Sequence, residues 1–395
     1  MSTNNHVKIP ELKSLIKQLL STPSISCTSA DIDQGNLHVI NLLANWFESL
    51  GFHCEIQRLD KDGDIDKNKA NLIATLGSGN NGLVLAGHTD TVPFDENRWQ
   101  VDAFSLTEKD NRFYGLGSCD MKSFFAVIIE ALKSIDLNHI KQPLIILATA
   151  DEETSMSGAK AIAKHADKLG LNNARYAVIG EPTNMFPVRM HKGMMMEAIQ
   201  LTGSAGHSSN PALGNNALEA MHKVITELLT WRGELQSKYK NPLFEVPVPT
   251  MNFGHIHGGD NPNRICGSCE LQIDIRPLPG MKISDLRAEM QQRLKQVLQG
   301  SGIQLKTIPL TDGFDAMETD KNSDLVKLAE KMTHTESQIV AFGTEAPFYN
   351  DIGLETIVMG PGSIQQAHQP DEYIETKMLN PAVDVIRRLI EHYCL

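Results

Sequence analysis

Apolar runs of four to eight residues alternate along the chain with stretches in which apolar side chains recur every three or four positions. The runs at 83–87, 143–150 and 176–180 are typical of strands that are buried on both faces of a sheet. The helical spacing at 12–20 and at 33–50 predicts two amphipathic helices. Strands that alternate with helices in this way predict an α/β protein with a mostly parallel sheet.

The pattern changes at about residue 192, where a β-α-β-β-α-β order begins. The elements of this order are predicted at 194–204, 216–229, 250–259, 269–276, 283–298 and 303–310. Such an order is typical of an inserted α+β domain of the ferredoxin-like kind. We therefore predict that residues 1–187 and 311–395 form the main domain, and that residues 188–310 form an inserted lid and dimerisation domain.

The composition is that of an ordinary globular protein, because 41% of the 395 residues are hydrophobic and 21% are charged. A chain of this length exceeds one ordinary core, which agrees with two domains. The net charge of −12, from 36 basic and 48 acidic residues, argues against nucleic acid or an anionic membrane as the main partner. A small cationic substrate is compatible with that charge.

Neither the amino terminus nor any apolar run indicates export or membrane insertion. The start, MSTNNHVKIPELK, lacks the basic and apolar regions of a signal peptide, so we predict a cytoplasmic protein. The six cysteines fit reduced thiols better than disulfides. Cys266 and Cys269 form a CxxC pair, but a structural zinc site would need a second ligand pair nearby, so we assign this spacing to coincidence.

Histidines and acids follow several of the predicted strands and glycine turns. The candidate metal ligands among them are His88, Asp120, Glu152 or Glu153, Glu181 and His368. A parallel sheet would gather such residues at one edge. Two imidazoles with three carboxylates suit zinc, cobalt or manganese better than calcium, and one carboxylate could bridge two metals about 3.5 to 4 Å apart. The acid of the 152/153 pair that is not a ligand would take a proton from the attacking water.

Each of these motifs also has a simpler interpretation. A histidine beside a core strand is usually just hydrogen-bonded. Asp151, Glu152 and Glu153 could cap the next helix, because acids favour helix starts. This interpretation is reasonable for one motif, but coincidence is hard to maintain for five motifs in one chain.

The segments GHTDTVP, GSCDMK, ATADEET, GEPT and AHQPDEY resemble, in order and spacing, the di-metal aminoacylase and carboxypeptidase-like hydrolases. The resemblance covers nearly the whole chain. Some members of that family deacetylate N2-acetyl-L-ornithine. The segments of this chain that resemble those members in particular are FGTEAPFY, GPGSIQQAHQPDEY, GGDNPNRICGSCELQIDIRPLPG and SAGHSS. Relatives that act on succinyl-diaminopimelate show different residues in the GTEA position.

The resemblance implies a metal centre with two Zn²⁺ ions per subunit, for which Co²⁺ or Mn²⁺ can substitute. It assigns His88 and Glu181 to one metal, and Glu153 and His368 to the other. Asp120 would bridge the two metals. No ligand of this set is missing from the chain.

The resemblance also implies roles in catalysis. Glu152 would act as the general base and then as the general acid. Asp90 would be the partner that orients His88. The family has a non-proline cis peptide bond after the bridging aspartate, which in this chain is the bond between Asp120 and Met121.

In the inserted domain, the resemblance assigns His207 to the substrate oxyanion, and Asn263 and Arg276 to the substrate carboxylate. In simpler interpretations, His207 caps the following helix, Asn263 is a turn residue and Arg276 is a surface charge at a strand end. The inserted domain has a sheet edge that could pair across a two-fold axis. We therefore predict a homodimer in which His207 acts on the partner's site.

Glu345 in the GTEAP loop is a candidate for binding a side-chain ammonium group of the substrate, with a helix-start carboxylate as the alternative. The expected activity is metal-dependent amide hydrolysis of N2-acetyl-L-ornithine to L-ornithine and acetate in arginine biosynthesis. Within enzymes, the alternatives are succinyl-diaminopimelate desuccinylation and deacylation of N-acyl amino acids in general. A metal-dependent binding protein without catalysis would lack a base or a ligand.

Overall fold

A computed structural model describes residues 9–61 and 64–395 of the chain. The prediction of a cytoplasmic protein rests partly on residues 1–8, which lie outside the described residues. The chain divides into two compact units. Unit 1 comprises the chain up to Arg189 together with Thr319–Gln338 and Thr344–Leu395, and unit 2 comprises Met190–Glu318 and Ile339–Gly343.

Helices and strands alternate along most of the described chain. The helices are α1 (Leu12–Leu20), α2 (Leu37–Ser49), α3 (Ser123–Leu132), α4 (Ser157–Lys164), α5 (Ala217–Lys238), α6 (Ile283–Val297), α7 (Asp324–Thr333), α8 (Ala346–Asp351) and α9 (Leu379–Cys394). The strands are β1 (His53–Lys61), β2 (Asp64–Leu76), β3 (Gly82–His88), β4 (Thr107–Lys109), β5 (Arg112–Tyr114), β6 (Leu144–Thr149), β7 (Ala174–Pro182), β8 (Val188–His191), β9 (Met195–Thr202), β10 (Thr250–Gly258), β11 (Ser268–Arg276), β12 (Gln304–Pro309), β13 (Met317–Glu318), β14 (Gln338–Val340), β15 (Glu355–Gly360) and β16 (Tyr373–Glu375).

The main sheet of unit 1 has the strand order β1-β2-β6-β3-β7-β15-β8. Its four central strands, β6, β3, β7 and β15, run parallel to one another. The outer pairs, β1 with β2, β2 with β6 and β15 with β8, are antiparallel. Every residue of β3 is buried, because helices cover the sheet and the strand is apolar up to its last residue, His88. The predicted α/β architecture with a mostly parallel central sheet is confirmed. A small third sheet has the order β16-β5-β4.

One large apolar core joins this sheet to helices α1, α2, α3, α7 and α9. Helix α3 is hydrophobic on all sides except at Glu130 and is otherwise buried, as expected for a helix inside a core. The predicted helix at 12–20 is confirmed as α1. Helix α2 begins four residues later than predicted, because the Asp33 carboxylate accepts the Cys27 N–H and pairs with Lys69.

Unit 2 contains an antiparallel sheet in the order β10-β11-β9-β12, with α5 and α6 in the same hydrophobic core. The chain order of these elements is β-α-β-β-α-β, which confirms the predicted ferredoxin-like arrangement. Helix α5 extends beyond the predicted end at 229, because Trp231 and Leu235 continue its buried face. Unit 2 also contains residues 311–318, where the backbone of Phe314 pairs with that of Met194.

The last part of unit 1 contains two helices that the sequence analysis did not predict. Helix α8 begins in the GTEAP segment, which was predicted as a short loop, and α9 packs its apolar face into the main core. Among the described residues, no helix is both long and apolar enough to cross a bilayer.

Candidate active site

The carboxyl ends of the parallel strands bring most of the candidate ligands together. His88 is the last residue of β3, Glu181 lies near the end of β7, and Glu152 and Glu153 follow β6. Because β3 lies between β6 and β7, these side chains meet at one edge of the sheet. Donor atoms lie within 4.8 Å of one another in two groups, His88 with Glu152 and Glu181, and His88 with Asp120 and Glu153.

The Asp120 carboxylate lies between two imidazoles. Its Oδ1 is 3.0 Å from Nε2 of His88, and its Oδ2 is 3.7 Å from Nε2 of His368. His88 is also 3.7 Å from Oε1 of Glu181, and His368 is 3.0 Å from Oε2 of Glu153. Each oxygen of one carboxylate therefore faces a different histidine and acid pair, which is the arrangement that a bridging ligand requires.

These spacings are compatible with metal ions of the predicted type. Ligand atoms about 2.1 Å from a tetrahedral zinc ion are about 3.4 Å apart, and the four nitrogen-to-oxygen distances of 3.0 to 3.7 Å span that value. The donor set of two imidazoles and several carboxylates suits zinc, cobalt or manganese. The residues present therefore fit a pair of such ions.

A glycine-rich turn between β5 and α3 positions Asp120. Gly117 has a φ of +82°, and a Cβ there would lie 2.7 Å from Cδ of Lys122, so the turn requires glycine. The peptide bond between Asp120 and Met121 is cis, as the resemblance implied. Glu372, which the sequence analysis did not identify, accepts the backbone N–H of Asp120 at 2.9 Å.

Asp90 contacts both His88 and the loop after β6. The Nδ1 atom of His88 lies 2.9 Å from the backbone carbonyl oxygen of Asp90, whereas the nearer carboxylate oxygen is 3.8 Å away. The carboxylate itself accepts the backbone N–H groups of Glu152 at 3.3 Å and Glu153 at 3.2 Å. Asp90 therefore orients the imidazole through its main chain and holds the two glutamates through its side chain.

Asp151 fixes the start of the same loop, a role that the sequence analysis missed. It is buried with a φ of +60°, and its Oδ1 accepts hydrogen bonds from Nζ of Lys69 at 2.6 Å and Oγ of Ser26 at 2.8 Å. Its Oδ2 accepts a hydrogen bond from Ser157 at 2.9 Å. In the sequence, the acidic DEE run gave a general signal for a site but did not distinguish the anchoring acid from the other two.

Crowded acids and burial change the proton affinities in this cluster. Burial raises the pKa of Glu152 well above its usual range, and the charges of Glu181, Glu153 and Glu345 raise it further. The pKa of Glu181 is also raised, mainly by burial and then by the Asp120 charge. Burial alone would raise the pKa of Asp120, but the contact with His88 lowers it. A raised pKa in a cluster of this kind is typical of a catalytic acid and base.

Glu345 lies at the start of α8 and is only 1% exposed. Its side chain makes no capping hydrogen bond to that helix, so the helix-start interpretation does not explain its orientation. Oε2 accepts a hydrogen bond from the Tyr349 hydroxyl at 3.4 Å, and Oε1 has no hydrogen-bond partner among the described residues. Burial raises the pKa of Glu345 to about 7.

The candidates in unit 2 lie in less constrained surroundings. His207 is exposed, and its Nδ1 lies 2.7 Å from Oγ of Ser209. Asn263 is exposed in a neighbouring loop, where its backbone carbonyl accepts the Ser208 N–H at 3.1 Å. Arg276 ends β11 and pairs with Asp274 at 2.9 Å. Unit 2 thus brings the loops of His207 and Asn263 together, while Arg276 ends a strand, as the sequence suggested.

The fold and the cluster agree with a comparison to protein families. Residues 84–392 match peptidase family M20/M25/M40, and the chain belongs to that family. The resemblance inferred from the motifs is thereby confirmed.

The chain is 49% identical over 388 residues to an acetylornithine deacetylase from Pectobacterium carotovorum, covering 98% of this chain and 99% of that relative. It is also 49% identical over 390 residues to an acetylornithine deacetylase from Proteus mirabilis, covering 99% and 98%. Among solved structures, a tripeptidase from Staphylococcus aureus has a TM-score of 0.73 at 19% identity, covering 97% of this chain and 98% of its own. A dinuclear metal-binding M20 peptidase from Bacillus subtilis has a TM-score of 0.65 at 13% identity, covering 97% and 98%.

Proposed function

We propose that this chain hydrolyses N2-acetyl-L-ornithine to L-ornithine and acetate. The observation that carries the proposal is the Asp120 carboxylate between two histidine and acid pairs, with Glu152 beside them. The substrate assignment is supported by full-length relatives at 49% identity that are named acetylornithine deacetylases. Arginine biosynthesis is the pathway that this reaction would serve, and the cytoplasm is the compartment we propose for it.

Two Zn²⁺ ions, or Co²⁺ or Mn²⁺ in their place, would be held by five residues. His88 and Glu181 would hold one ion, Glu153 and His368 would hold the other, and Asp120 would bridge them. When bound, the ions would activate water for attack and polarise the scissile carbonyl.

Glu152 would carry out the proton transfers. It belongs to the same cluster as His88 and Glu181, but it remains partly exposed, so substrate and water can reach it. Its raised pKa would let it take a proton from the attacking water and hold that proton until the amine leaves. Glu153 instead contacts His368 through both carboxylate oxygens, at 3.2 and 3.0 Å, which suits a ligand better than a base.

Four further residues would recognise the substrate. His207 would donate a hydrogen bond to the oxyanion, and Asn263 and Arg276 would bind the α-carboxylate. Glu345 would bind the side-chain ammonium, since it has an unpaired carboxylate oxygen in a buried position and its charge acts on Glu152. A buried carboxylate favours a cation over a neutral group of the same size.

We also propose that the chain is a homodimer through unit 2, in which His207 serves the partner's site. Strand β10 is an edge strand of the unit 2 sheet, with Ile256 55% exposed. Helix α5 presents Leu218 and Leu229 at its surface, 51% and 41% exposed. An unpaired edge beside exposed leucines is a surface that a second copy could cover by strand pairing. Nucleic acid and membranes are not proposed as partners, in line with the net charge of −12.

The test is ornithine release from N2-acetyl-L-ornithine, measured with and without prior treatment by a chelator. We expect activity that chelation abolishes and that Zn²⁺ or Co²⁺ restores. A parallel series with N-succinyl-L,L-diaminopimelate and neutral N-acetyl amino acids measures selectivity. Faster turnover of the succinyl substrate would replace the proposed function with desuccinylation, and metal binding without any turnover would indicate a binding protein.

A further inference from the structure

The AHQPDEY segment carries two residues of different kinds, the candidate ligand His368 and the buried acid Glu372. The side chain of Glu372 is 1% exposed and is directed at the turn that contains Asp120. Its Oε1 accepts the N–H of Cys119 at 2.7 Å and of Asp120 at 2.9 Å, and its Oε2 accepts the N–H of Gly117 at 3.0 Å. One carboxylate therefore satisfies three backbone donors of a single turn.

The main chain of Glu372 reinforces the same contact. Its carbonyl oxygen accepts the N–H of Gly115 at 3.0 Å and the hydroxyl of Ser118 at 3.3 Å. The pairing of Tyr373 in β16 with Tyr114 in β5 explains the position, because Glu372 precedes one strand and the turn follows the other. Five hydrogen bonds thus join one residue to the turn.

We propose that Glu372 is a positioning residue that fixes Asp120 and His368 relative to each other and thereby sets the affinity for the second metal ion. The two residues lie on separate segments, yet both would contribute to the ion that Glu153 also holds. The hydrogen bonds of Glu372 connect these segments, in which Oδ2 of Asp120 faces Nε2 of His368 at 3.7 Å. The inference rests on the proposed metal ligands.

The neighbouring residue Asp371 anchors the same loop at a different place. The Asp371 carboxylate accepts the N–H groups of Gln100 at 2.7 Å and Val101 at 3.3 Å and contacts no residue of the Asp120 turn among the described hydrogen bonds. Asp371→Ala therefore removes two backbone contacts of the loop while leaving the connection to Asp120 in place.

The experiment is a Zn²⁺ titration of chelator-treated, full-length protein against a competing chromophoric chelator, without substrate. Wild type should bind two equivalents. Glu372→Ala should weaken the second equivalent about 10- to 100-fold, the usual loss when a group that orients metal ligands is removed. Glu372→Gln should lose less, since its amide oxygen can still accept from Cys119 and Asp120. Asp371→Ala should stay within about threefold of wild type.

Near-ultraviolet circular dichroism checks that each variant is folded, and the visible spectrum of the Co²⁺-loaded Gln variant reports on ligand geometry even if the Ala variant does not fold. We expect that spectrum to differ from wild type. Wild-type affinity with a wild-type Co²⁺ spectrum in the folded Glu372 variants would overturn the positioning role alone. An equal loss in Asp371→Ala would also overturn it. A wild-type protein that binds no Zn²⁺ would overturn the proposed function together with this inference.

Discussion

The candidate residues of unit 1 and those of unit 2 differ in how firmly the fold holds them. His88 is 1% exposed and Asp120 is 7% exposed, and each makes hydrogen bonds that fix its orientation. His207 and Asn263 lie on loops with only local contacts. In unit 1, the buried His88 and Asp120 therefore face further candidate ligands, and only His368 of that set is exposed, whereas His207 and Asn263 are both exposed.

The residues that support the candidates of unit 1 and of unit 2 through hydrogen bonds also differ. In unit 1, Asp90 and Asp151 are acids that bind no substrate in our proposal but hold the Glu152 and Glu153 loop through backbone and side-chain hydrogen bonds. In unit 2, the described partners of His207 are Ser209, the backbone of Asn210 and the backbone of Arg264. The described contacts of His207 are therefore more local than those that support the cluster in unit 1.

The largest effect is expected from substituting, one at a time, the two neighbouring glutamates of the unit 1 cluster, Glu152 and Glu153. Glu152→Gln should lower turnover by at least about 10² to 10⁴ while the protein keeps its metal, because the positioned base is lost. Glu153→Gln should lose metal instead, because it removes a contact to His368. Metal content after dialysis and kcat for both variants test this. If Glu152→Gln were the variant that lost metal, the assignment within the pair would be wrong.

The next largest effect is expected for His207, the exposed candidate in unit 2. His207→Ala should keep both metals and lose about 10² to 10³ in turnover, the usual cost of one oxyanion donor. Refolding His207→Ala together with Glu152→Gln should restore activity if His207 acts in trans, because one site of each mixed dimer is then intact. A mixture that stays inactive, although mixed dimers form, would place His207 in its own subunit's site or outside catalysis.

The smallest effect concerns selectivity. Glu345→Gln should weaken kcat/KM for N2-acetyl-L-ornithine about 10- to 150-fold more than for N-acetyl-L-norvaline, which lacks only the ammonium group, since a charge-assisted hydrogen bond is worth about 1.5 to 3 kcal/mol. The pKa of Glu345 is about 7, so its carboxylate is charged above that pH and protonated below it. Wild-type preference for the ornithine substrate should therefore rise between pH 6 and 8, and the Gln variant should show no such rise. Equal losses on both substrates would exclude the ammonium role.

The sequence alone determined the elements and the edge at which the cluster forms. Apolar runs reveal buried strands, and parallel strands must end at the same edge, so the positions of His88, Glu153 and Glu181 followed from local pattern. The β-α-β-β-α-β order of the insert was visible for the same reason. The start of α2 was not, because contacts of Asp33 with Cys27 and with the distant Lys69 precede it, and the short helix α8 was not predicted either.

Only the tertiary structure decided which acids face the histidines and which hold other segments in place. Glu372 contacts Gly117 across 255 positions, and Lys69 contacts Asp151 across 82, so no local spacing records either pair. Asp90 was expected to hold His88 through its carboxylate, but the backbone carbonyl makes the closer contact and the carboxylate turns to the glutamate loop. The periodicity of apolar residues indicates which side chains are buried and where strands and helices run. Hydrogen-bond partners depend instead on where distant backbone donors lie once the chain has folded.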